Sequence, residues 1–338
     1  MRLARKKEHV ENYLKSDFNG ETLFSNVYIE NNALPEMDFD EIDTSLNFLG
    51  KTASFPVMIN AITGGGEELT DINEDLARLA KIFNIPMAVG SQTIAIENPE
   101  CISSFEIVRD ILDSKNIVIG NVSANVSVDY FLKSSEMIEA DAMQVHLNVA
   151  QEMFMKEGDR NFKGIISNIA NLIENYKKPI IVKEVGFGIS KQVATKLFDI
   201  GIKYIDIAGS GGTNFIEIED IRNFSTDFTD MYNWGIPTAK ALIECRSISK
   251  NLQIISSGGI KTAQDIVKSL ILGADMVGIS GEILSYLMHG GFEAAKEYID
   301  SLIYKTKALM MLLGKKNIEE LKTVDYKLTG TLKELINI

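Results

Sequence analysis

Glycine-rich turns follow three apolar runs in the second half of the chain. Ser257-Gly258-Gly259 and Ile279-Ser280-Gly281 end two neighbouring runs, and Gly209 to Thr213 follows an earlier one. Consecutive glycines let backbone N–H groups approach a ligand closely, and a following helix N-terminus adds partial positive charge. Three such loops supply amides and hydroxyls without requiring Lys or Arg, which favours the monophosphate of a bound cofactor.

A second group of polar residues ends another run, at His146, Asn148, Gln151 and Glu152. Strand alternation places His146 and Asn148 on one face, and Glu152 lies beyond the strand end. One carboxylate suits Mg²⁺ if a substrate phosphate and waters complete the octahedron. Taken alone, His146 is more typical of a hydrogen-bonded core histidine, and Glu152 of a helix start, where its charge is favoured.

Lys183 lies late in the apolar run that ends Val182-Lys183-Glu184. An ammonium facing a barrel interior is costly unless an anion compensates it. A reduced flavin, anionic at N1, would supply that anion. The alternative is a structural ion pair with Glu184, although adjacent strand residues point to opposite faces.

The first three runs also end in polar or glycine-rich sequence. Ile62-Thr63-Gly64, Gly90-Ser91-Gln92 and Asn121 stand at these ends. Ordinary turn chemistry explains any one of them, but three consecutive cases favour a shared functional face.

Eight short apolar runs must position these residues. They are Pro56 to Asn60, Ile85 to Val89, Ile117 to Asn121, Ala142 to Leu147, Pro179 to Glu184, Tyr204 to Ala208, Gln253 to Ser256 and Met276 to Ser280. Most are followed by helix-compatible segments, such as Asp71 to Phe83 and Thr262 to Leu272. This alternation predicts a parallel α/β sheet, and eight units favour a (β/α)8 TIM barrel with its functional face at the strand C-termini.

We expect a single domain over 1–338, with an N-terminal extension at 1–50, the barrel at 51–290 and a helical C-terminal tail at 291–338. The longer connection from Phe215 to Ile236 is open to two readings, a lid or subunit contact and an ordered surface excursion.

Composition narrows the class of protein. The 338 residues are 45% hydrophobic, carry a net charge of -13 and include two cysteines without metal or disulfide spacing. We therefore expect no nucleic-acid surface, no membrane insertion and a cytoplasmic enzyme, in which any anion site needs local cations.

The ordered motifs resemble the type 2, FMN-dependent isopentenyl-diphosphate isomerases over nearly the whole chain. The matches begin with Arg5-Lys6-Lys7-Glu8-His9 and continue through Asn60-Ala61-Ile62-Thr63-Gly64-Gly65, Gly90-Ser91-Gln92, His146-Leu147-Asn148, Gln151-Glu152, Val182-Lys183-Glu184, Gly211-Gly212-Thr213-Asn214-Phe215, Gly235-Ile236-Pro237-Thr238, Ser257-Gly258-Gly259 and Thr329-Gly330.

The resemblance implies a set of site residues. FMN would contact Ile62, Thr63, Gly64, Ser91, Asn121, Lys183, Thr213, Gly258, Gly259, Ile260, Ser280 and Gly281. The diphosphate substrate would contact Arg5, Lys6, His9, Ser91, Gln92, Thr93, Asn148 and Gln151, with Glu152 holding Mg²⁺. Gln151, His146 and Lys183 are the candidate catalytic residues.

The implied reaction shifts the double bond of isopentenyl diphosphate to give dimethylallyl diphosphate, with NADPH reducing the flavin. The resemblance also implies a homotetramer or homo-octamer. Two residues depart from the family pattern, because many members have Arg at the position of Thr93 and Ser at that of Ala208. The nearest alternative is another FMN barrel, such as an α-hydroxy-acid oxidase, which would need a histidine base and arginine clamps near the late strand ends.

Overall fold

A computed structural model gives the fold of residues 2–18, 20–66, 69–222 and 226–336, with the side chains of residues 2–5 outside the described part. The strands are β1 (Val27–Ile29), β2 (Leu46–Phe48), β3 (Lys51–Ala53), β4 (Val57–Ile59), β5 (Met87–Ala88), β6 (Val118–Ser123), β7 (Ala142–Leu147), β8 (Ile180–Glu184), β9 (Tyr204–Asp206), β10 (Gln253–Ser257), β11 (Met276–Ile279) and β12 (Tyr326–Leu328). The helices are α1 (Arg2–Lys15), α2 (Thr70–Phe83), α3 (Thr93–Glu97), α4 (Ser103–Ile111), α5 (Val128–Met137), α6 (Val149–Phe154), α7 (Ile165–Asn175), α8 (Lys191–Asp199), α9 (Phe215–Arg222), α10 (Thr238–Arg246), α11 (Ala263–Ile271), α12 (Gly281–Leu313), α13 (Ile318–Leu321) and α14 (Gly330–Leu335).

Strands β4 to β11 close into one parallel barrel, with β11 pairing to β4. Each of these strands lies within, or largely within, one of the eight apolar runs, so the prediction of a (β/α)8 barrel is confirmed. The runs form strands because both faces are covered, the inner face by barrel side chains and the outer face by helices.

Side chains inside the barrel form two layers. The lower layer is apolar and contains Ile119, Ile181 and Ile255, and it is closed from below by Phe48 of the β2–β3 hairpin. Two residues further along the same strands the inward side chains are Asn121, Lys183 and Ser257, all buried. Since parallel strands all end at the same rim, this change from apolar to polar places the chemistry at the carboxyl-terminal end of the barrel.

Local sequence signals set several helix boundaries. Helix α11 begins at a capping box, in which the Thr262 hydroxyl accepts from the Asp265 N–H and the Asp265 carboxylate accepts from the Thr262 N–H. Gly273 follows the helix with φ at +101°, a conformation that favours glycine. Helix α12 is broken at Gly291, where φ is +75° and ψ is -174°, so it consists of two helical parts.

The two ends of the chain have different packing partners. Helix α1 lies over the carboxyl-terminal rim, where its residues contact α9 and line the central cavity. Strand β12 pairs antiparallel with β1, and Thr329 donates its N–H to the Asn26 carbonyl at 2.9 Å. Among the described helices, none combines the length and apolar character needed to span a membrane.

Candidate active site

One cavity of about 330 Å³ opens at the carboxyl-terminal rim of the barrel. Most of the predicted site residues line it, although they come from strand ends far apart in sequence. The predicted residues brought together here are Lys6, His9, Ile62, Thr63, Ser91, Thr93, Asn121, His146, Asn148, Gln151, Glu152, Lys183, Thr213, Gly258, Gly259, Ile260, Ser280 and Gly281.

Three predicted residues are not placed at the cavity wall. The Gln92 side chain is fully buried, donates to the Ser134 carbonyl at 2.8 Å and accepts from the Asn121 N–H at 3.0 Å. It therefore supports Asn121 from behind and does not face a substrate, contrary to the expectation for Gln92. Gly64 is not among the residues that line the cavity. The side chain of Arg5 lies outside the described residues.

The glycine-rich loops after β9 and β10 pack directly against each other. A Cβ atom on Gly258 would come within 2.6 Å of the Gly209 nitrogen, and one on Gly259 within 2.5 Å of the Gly211 carbonyl carbon. Both glycines also have positive φ, at +98° and +77°. The Thr238 hydroxyl holds the same loop by donating to the Gly258 carbonyl at 2.6 Å. Glycine is therefore required here by the close approach of two backbones.

Lys183 brings a buried positive charge to the cavity. Its side chain is 7% exposed, and its ammonium donates to the Glu184 backbone carbonyl at 2.6 Å. The Glu184 carboxylate instead accepts from the N–H groups of Gly186 at 2.7 Å and Gly188 at 3.2 Å. Burial raises the pKa of Glu184 to about 7, against the opposing effects of the Phe187 and Gly186 N–H groups and of Lys183. Within the described residues the alternative of a side-chain ion pair between Lys183 and Glu184 is not found.

A chain of buried amides runs across the floor of the cavity from Asp206 to His146. Asn60 donates to the Asp206 carboxylate at 2.6 Å and accepts from the Gln144 amide at 2.8 Å. Gln144 accepts from the Asn121 amide at 3.4 Å, and the Asn121 oxygen lies 2.8 Å from the Nδ1 atom of His146. The Asp206 carboxylate can only accept hydrogen bonds, so the amide group of Asn60 must donate to it, and each following amide is oriented in turn. The last acceptor of the chain, the amide oxygen of Asn121, therefore faces His146.

The hydrogen bond to Asn121 and the burial of the ring fix the tautomer and the charge of His146. Its Nδ1 carries the proton that is donated to Asn121, which leaves the Nε2 lone pair available to the cavity. Burial, with the nearby charges of Lys183 and Lys6, lowers the pKa of His146 to about 3. The ring is therefore neutral at physiological pH and acts as a hydrogen-bond acceptor at Nε2.

Glu152 lies in the first turn of α6, on the other side of the cavity from the glycine loops. Its carboxylate accepts from the Asn148 amide at 2.8 Å and from the Asp159 N–H at 2.7 Å. The described residues contain no group of three or more His, Cys, Asp or Glu side chains that could hold a metal ion. A metal here would have Glu152 as its protein carboxylate, and phosphate and water would complete the coordination shell.

Helix α1 carries Lys6 and His9 over the cavity. Lys6 donates to the Ser91 carbonyl at 2.7 Å, and His9 Nε2 lies 2.8 Å from the buried carboxylate of Glu219. Arg222 donates to the other oxygen of Glu219 at 2.8 Å and to Glu8 at 2.8 Å.

Arg222 also forms an ion pair with Glu157, beyond the end of α6. The Arg222 network thus ties α1, α9 and the end of α6 together. It also gives the segment from Phe215 an ordered, packed beginning.

Sequence reasoning missed several cavity residues. Tyr13 follows Lys6 and His9 along one face of α1, a spacing that indicates a shared face only once the helix is known to lie on the barrel. Asp206 is fully buried below the cavity, and its inward strand position next to Lys183 was a usable signal. Glu282 and Lys261 line the rim and lie 4.0 Å apart.

Comparisons with known proteins identify relatives over nearly the whole chain. The family model described as FMN-dependent dehydrogenase matches residues 116–327. A protein named isopentenyl-diphosphate delta-isomerase from Bacillus licheniformis is 42% identical over 331 residues, covering 97% of this chain and 94% of the relative. A protein of the same name from Staphylococcus haemolyticus is 37% identical over 337 residues, covering 98% and 96%. One from Geobacillus sp. is 40% identical over 332 residues, covering 97% and 94%.

Solved structures share the fold at lower identity. A mutant of flavocytochrome b2 superposes with a TM-score of 0.70 at 20% identity, covering 97% of this chain and 84% of that one. A mandelate oxidase mutant gives 0.65 at 15% identity, covering 94% and 92%. These likenesses concern the barrel architecture alone.

Proposed function

Because the chain belongs to the type 2, FMN-dependent family of isopentenyl-diphosphate delta-isomerases, we propose that its cavity converts isopentenyl diphosphate to dimethylallyl diphosphate with bound, reduced FMN. The observation that carries this proposal is the division of the cavity into two walls. Lys183 and the glycine loops belong to the ends of β8 to β11, whereas Glu152 follows β7 and Lys6 bonds to Ser91 after β5. His9 lies above them, against Glu219. One cavity can thus hold a flavin monophosphate and a diphosphate without placing the two anions together.

The residues of the first wall fit FMN. Gly258 and Gly259 expose their backbone where a side chain cannot stand, and Ser280 precedes α12 without capping it by its side chain. The backbone N–H groups of the glycine loop and of the first turn of α12 suit a phosphate. Lys183 offers a buried ammonium whose hydrogen bond goes to a neutral carbonyl, so an anionic ring system would compensate its charge. Bound FMN, in its reduced form, would supply the acid and base for the two proton transfers.

The chain's own residues position the alkene and its diphosphate. Neutral His146 presents Nε2 as an acceptor to a donor on the ligand, held in place by Asn121. Gln151 accepts from the Asn148 amide at 3.5 Å through its amide oxygen, and its amide nitrogen, which no described residue bonds, would orient the alkene end of the substrate or a water. Lys6 and His9 belong to α1, which lies over the rim, and α1 would limit the access of bulk water to a bound substrate.

We further propose that Glu152 holds Mg²⁺ against the substrate diphosphate. The overall charge of -13 would repel a diphosphate, so Lys6 and a metal would provide local attraction, and Arg5 stays a predicted contact. NADPH is the proposed reductant of the flavin, and the homotetramer or homo-octamer implied by the family stays a prediction.

The alternative of an α-hydroxy-acid oxidase has less support from the site. Such an enzyme needs a protonatable histidine and arginine clamps for a carboxylate. Among the described residues, no arginine side chain lines the cavity, and the one late histidine, His289, bonds to Ser285 within α12. His146 has a pKa of about 3, too low for an efficient general base near neutral pH.

The metal role of Glu152 can be tested with a matched pair of variants. Glu152→Gln should raise the Mg²⁺ concentration needed for half-maximal isomerisation by about tenfold or more, since a carboxylate is the preferred ligand of a hard cation. Glu106→Gln is the control, because Glu106 also lies in the first turn of a helix but is exposed on the outside of the barrel. Both changes remove the same favourable interaction with a helix N-terminus.

FMN absorbance is measured alongside the Mg²⁺ dependence. Unchanged FMN content with a raised Mg²⁺ requirement in Glu152→Gln alone supports the proposal. Loss of FMN from Glu152→Gln, or an unchanged Mg²⁺ requirement, would show that Glu152 has a different role.

A further inference from the structure

Tyr13 extends the cavity-lining face of α1 beyond the substrate clamp. Lys6, His9, Val10 and Tyr13 all line the cavity, at the spacing of one helical face. Lys6 and His9 lie toward Ser91 and Glu219, whereas Tyr13 lies one turn further along, at the start of α12. The helix therefore reaches from the proposed diphosphate site to the proposed FMN phosphate site.

The tyrosine ring lies directly on Gly281, the first residue of α12. A Cβ atom on Gly281 would meet the ring carbon Cε2 of Tyr13 at 2.7 Å, and the hydroxyl oxygen closer still. The first N–H groups of a helix have no partner within it, and the Ser280 side chain does not cap them here. The phenol hydroxyl thus adjoins open backbone donors at the edge of the cavity.

The hydroxyl is a neutral donor that has no hydrogen bond to the described residues. Burial, together with the negative charge of Glu282, raises the pKa of Tyr13 to about 12. The group therefore keeps its proton throughout the physiological range. Lys261, 4.0 Å from Glu282, offsets the carboxylate charge at this rim and so lessens its repulsion of a phosphate.

We propose that Tyr13 is a ligand of the FMN phosphate, and that its hydroxyl donates a hydrogen bond to a phosphate oxygen held at the N-terminus of α12. This inference rests on the proposed FMN site. Its consequence is that one helix carries both the substrate clamp and a cofactor contact. Binding of the cofactor phosphate then fixes α1 on the barrel with Lys6 and His9 in place.

Comparison of FMN with riboflavin isolates the phosphate contact. In the full chain freed of flavin, Tyr13→Phe keeps the ring against Gly281 and removes only the hydroxyl. Its affinity for FMN should fall about tenfold, as expected for a hydrogen bond to a charged group. Its affinity for riboflavin, which lacks the phosphate, should be unchanged. Tyr28→Phe is the control, because Tyr28 is 54% exposed and lies on β1 outside the cavity.

Hydrogen exchange of α1 gives a second readout. In the wild type, FMN should protect the amides of α1 more than riboflavin does, and Tyr13→Phe should remove that difference. Equal weakening of both flavins would show that Tyr13 acts through packing and would overturn the inference, as would unchanged FMN binding. Wild-type protein that bound neither flavin would overturn the proposed cofactor itself, an outcome distinct from failure of the Tyr13 contact alone.

Discussion

Replacing Gly258 by alanine should damage both stability and FMN binding, whereas the same change at Gly201 should affect stability modestly and FMN binding not at all. The two glycines have nearly the same positive φ, at +98° and +102°. They differ in their surroundings. A Cβ on Gly201 would meet nothing within 4 Å, but one on Gly258 would lie within 2.6 Å of the Gly209 nitrogen.

The expected loss of stability follows from the positive φ and from the space around the added Cβ atom. A non-glycine residue at positive φ costs about 1–2 kcal/mol, partly offset by about 0.4–1 kcal/mol from the reduced freedom of the unfolded chain. Gly201→Ala should therefore lower the free energy of unfolding by about 1 kcal/mol. Gly258→Ala adds the cost of forcing two backbones apart, about 1–3 kcal/mol by analogy with overpacked cores.

Cofactor binding should separate the two variants further. The displaced loop would move N–H groups away from the phosphate, and the loss of one hydrogen bond to a charged group weakens affinity by about tenfold or more. Thermal unfolding of flavin-free protein and fluorescence titration with FMN measure the two effects. If Gly258→Ala matched Gly201→Ala in both measurements, the loops would not be packed as described and the reasoning for the phosphate site would fail.

Three other changes test the charged and polar network. The folded-state pKa of His146 is lowered to about 3, so its contribution to stability is present above pH 6.5 and is lost as the pH falls toward 3. Over this pH range His146→Gln should lose less free energy of unfolding than the wild type, by up to about 1.4 kcal/mol per pH unit. Denaturation curves at several pH values measure the difference. Asp206→Asn supplies a donor where the amide chain needs an acceptor, so it should move the His146 proton from Nδ1 to Nε2. The ¹⁵N chemical shifts of the imidazole report this change. An unchanged tautomer would mean that Asp206 does not orient the amides. Arg222→Met leaves the buried Glu219 carboxylate without its arginine, so it should lower the free energy of unfolding by about 3 kcal/mol and raise the KM for isopentenyl diphosphate. Arg246→Met breaks a partly buried pair with Asp275 and should lower stability alone.

The barrel was predictable because its strands are buried on both faces. Continuous apolar runs such as Ala142 to Leu147 need no long-range information to be recognised. The β2–β3 hairpin and the β1–β12 pair were not predicted, because each strand has three residues and the second pair joins opposite ends of the chain. Their formation depends on what they pack against, which the local sequence does not contain.

The candidate site was predictable to the extent that it sits at strand ends. Gly258, Lys183 and Glu152 were found from that rule together with the family resemblance, and all three line the cavity. The rule misplaced Gln92, since a polar side chain after a strand can turn behind its neighbour and bond to it. It also missed Tyr13, whose place depends on how α1 docks on the barrel.

Isomerisation without net redox change is the central claim, and an anaerobic product assay tests it most directly. The protein is loaded with FMN, reduced once with a limiting amount of reductant, and mixed with Mg²⁺ and isopentenyl diphosphate. We predict many turnovers to dimethylallyl diphosphate for each reduced flavin, with the flavin still reduced at the end. Absence of that product, or a yield limited to one turnover for each reducing equivalent, would contradict the account.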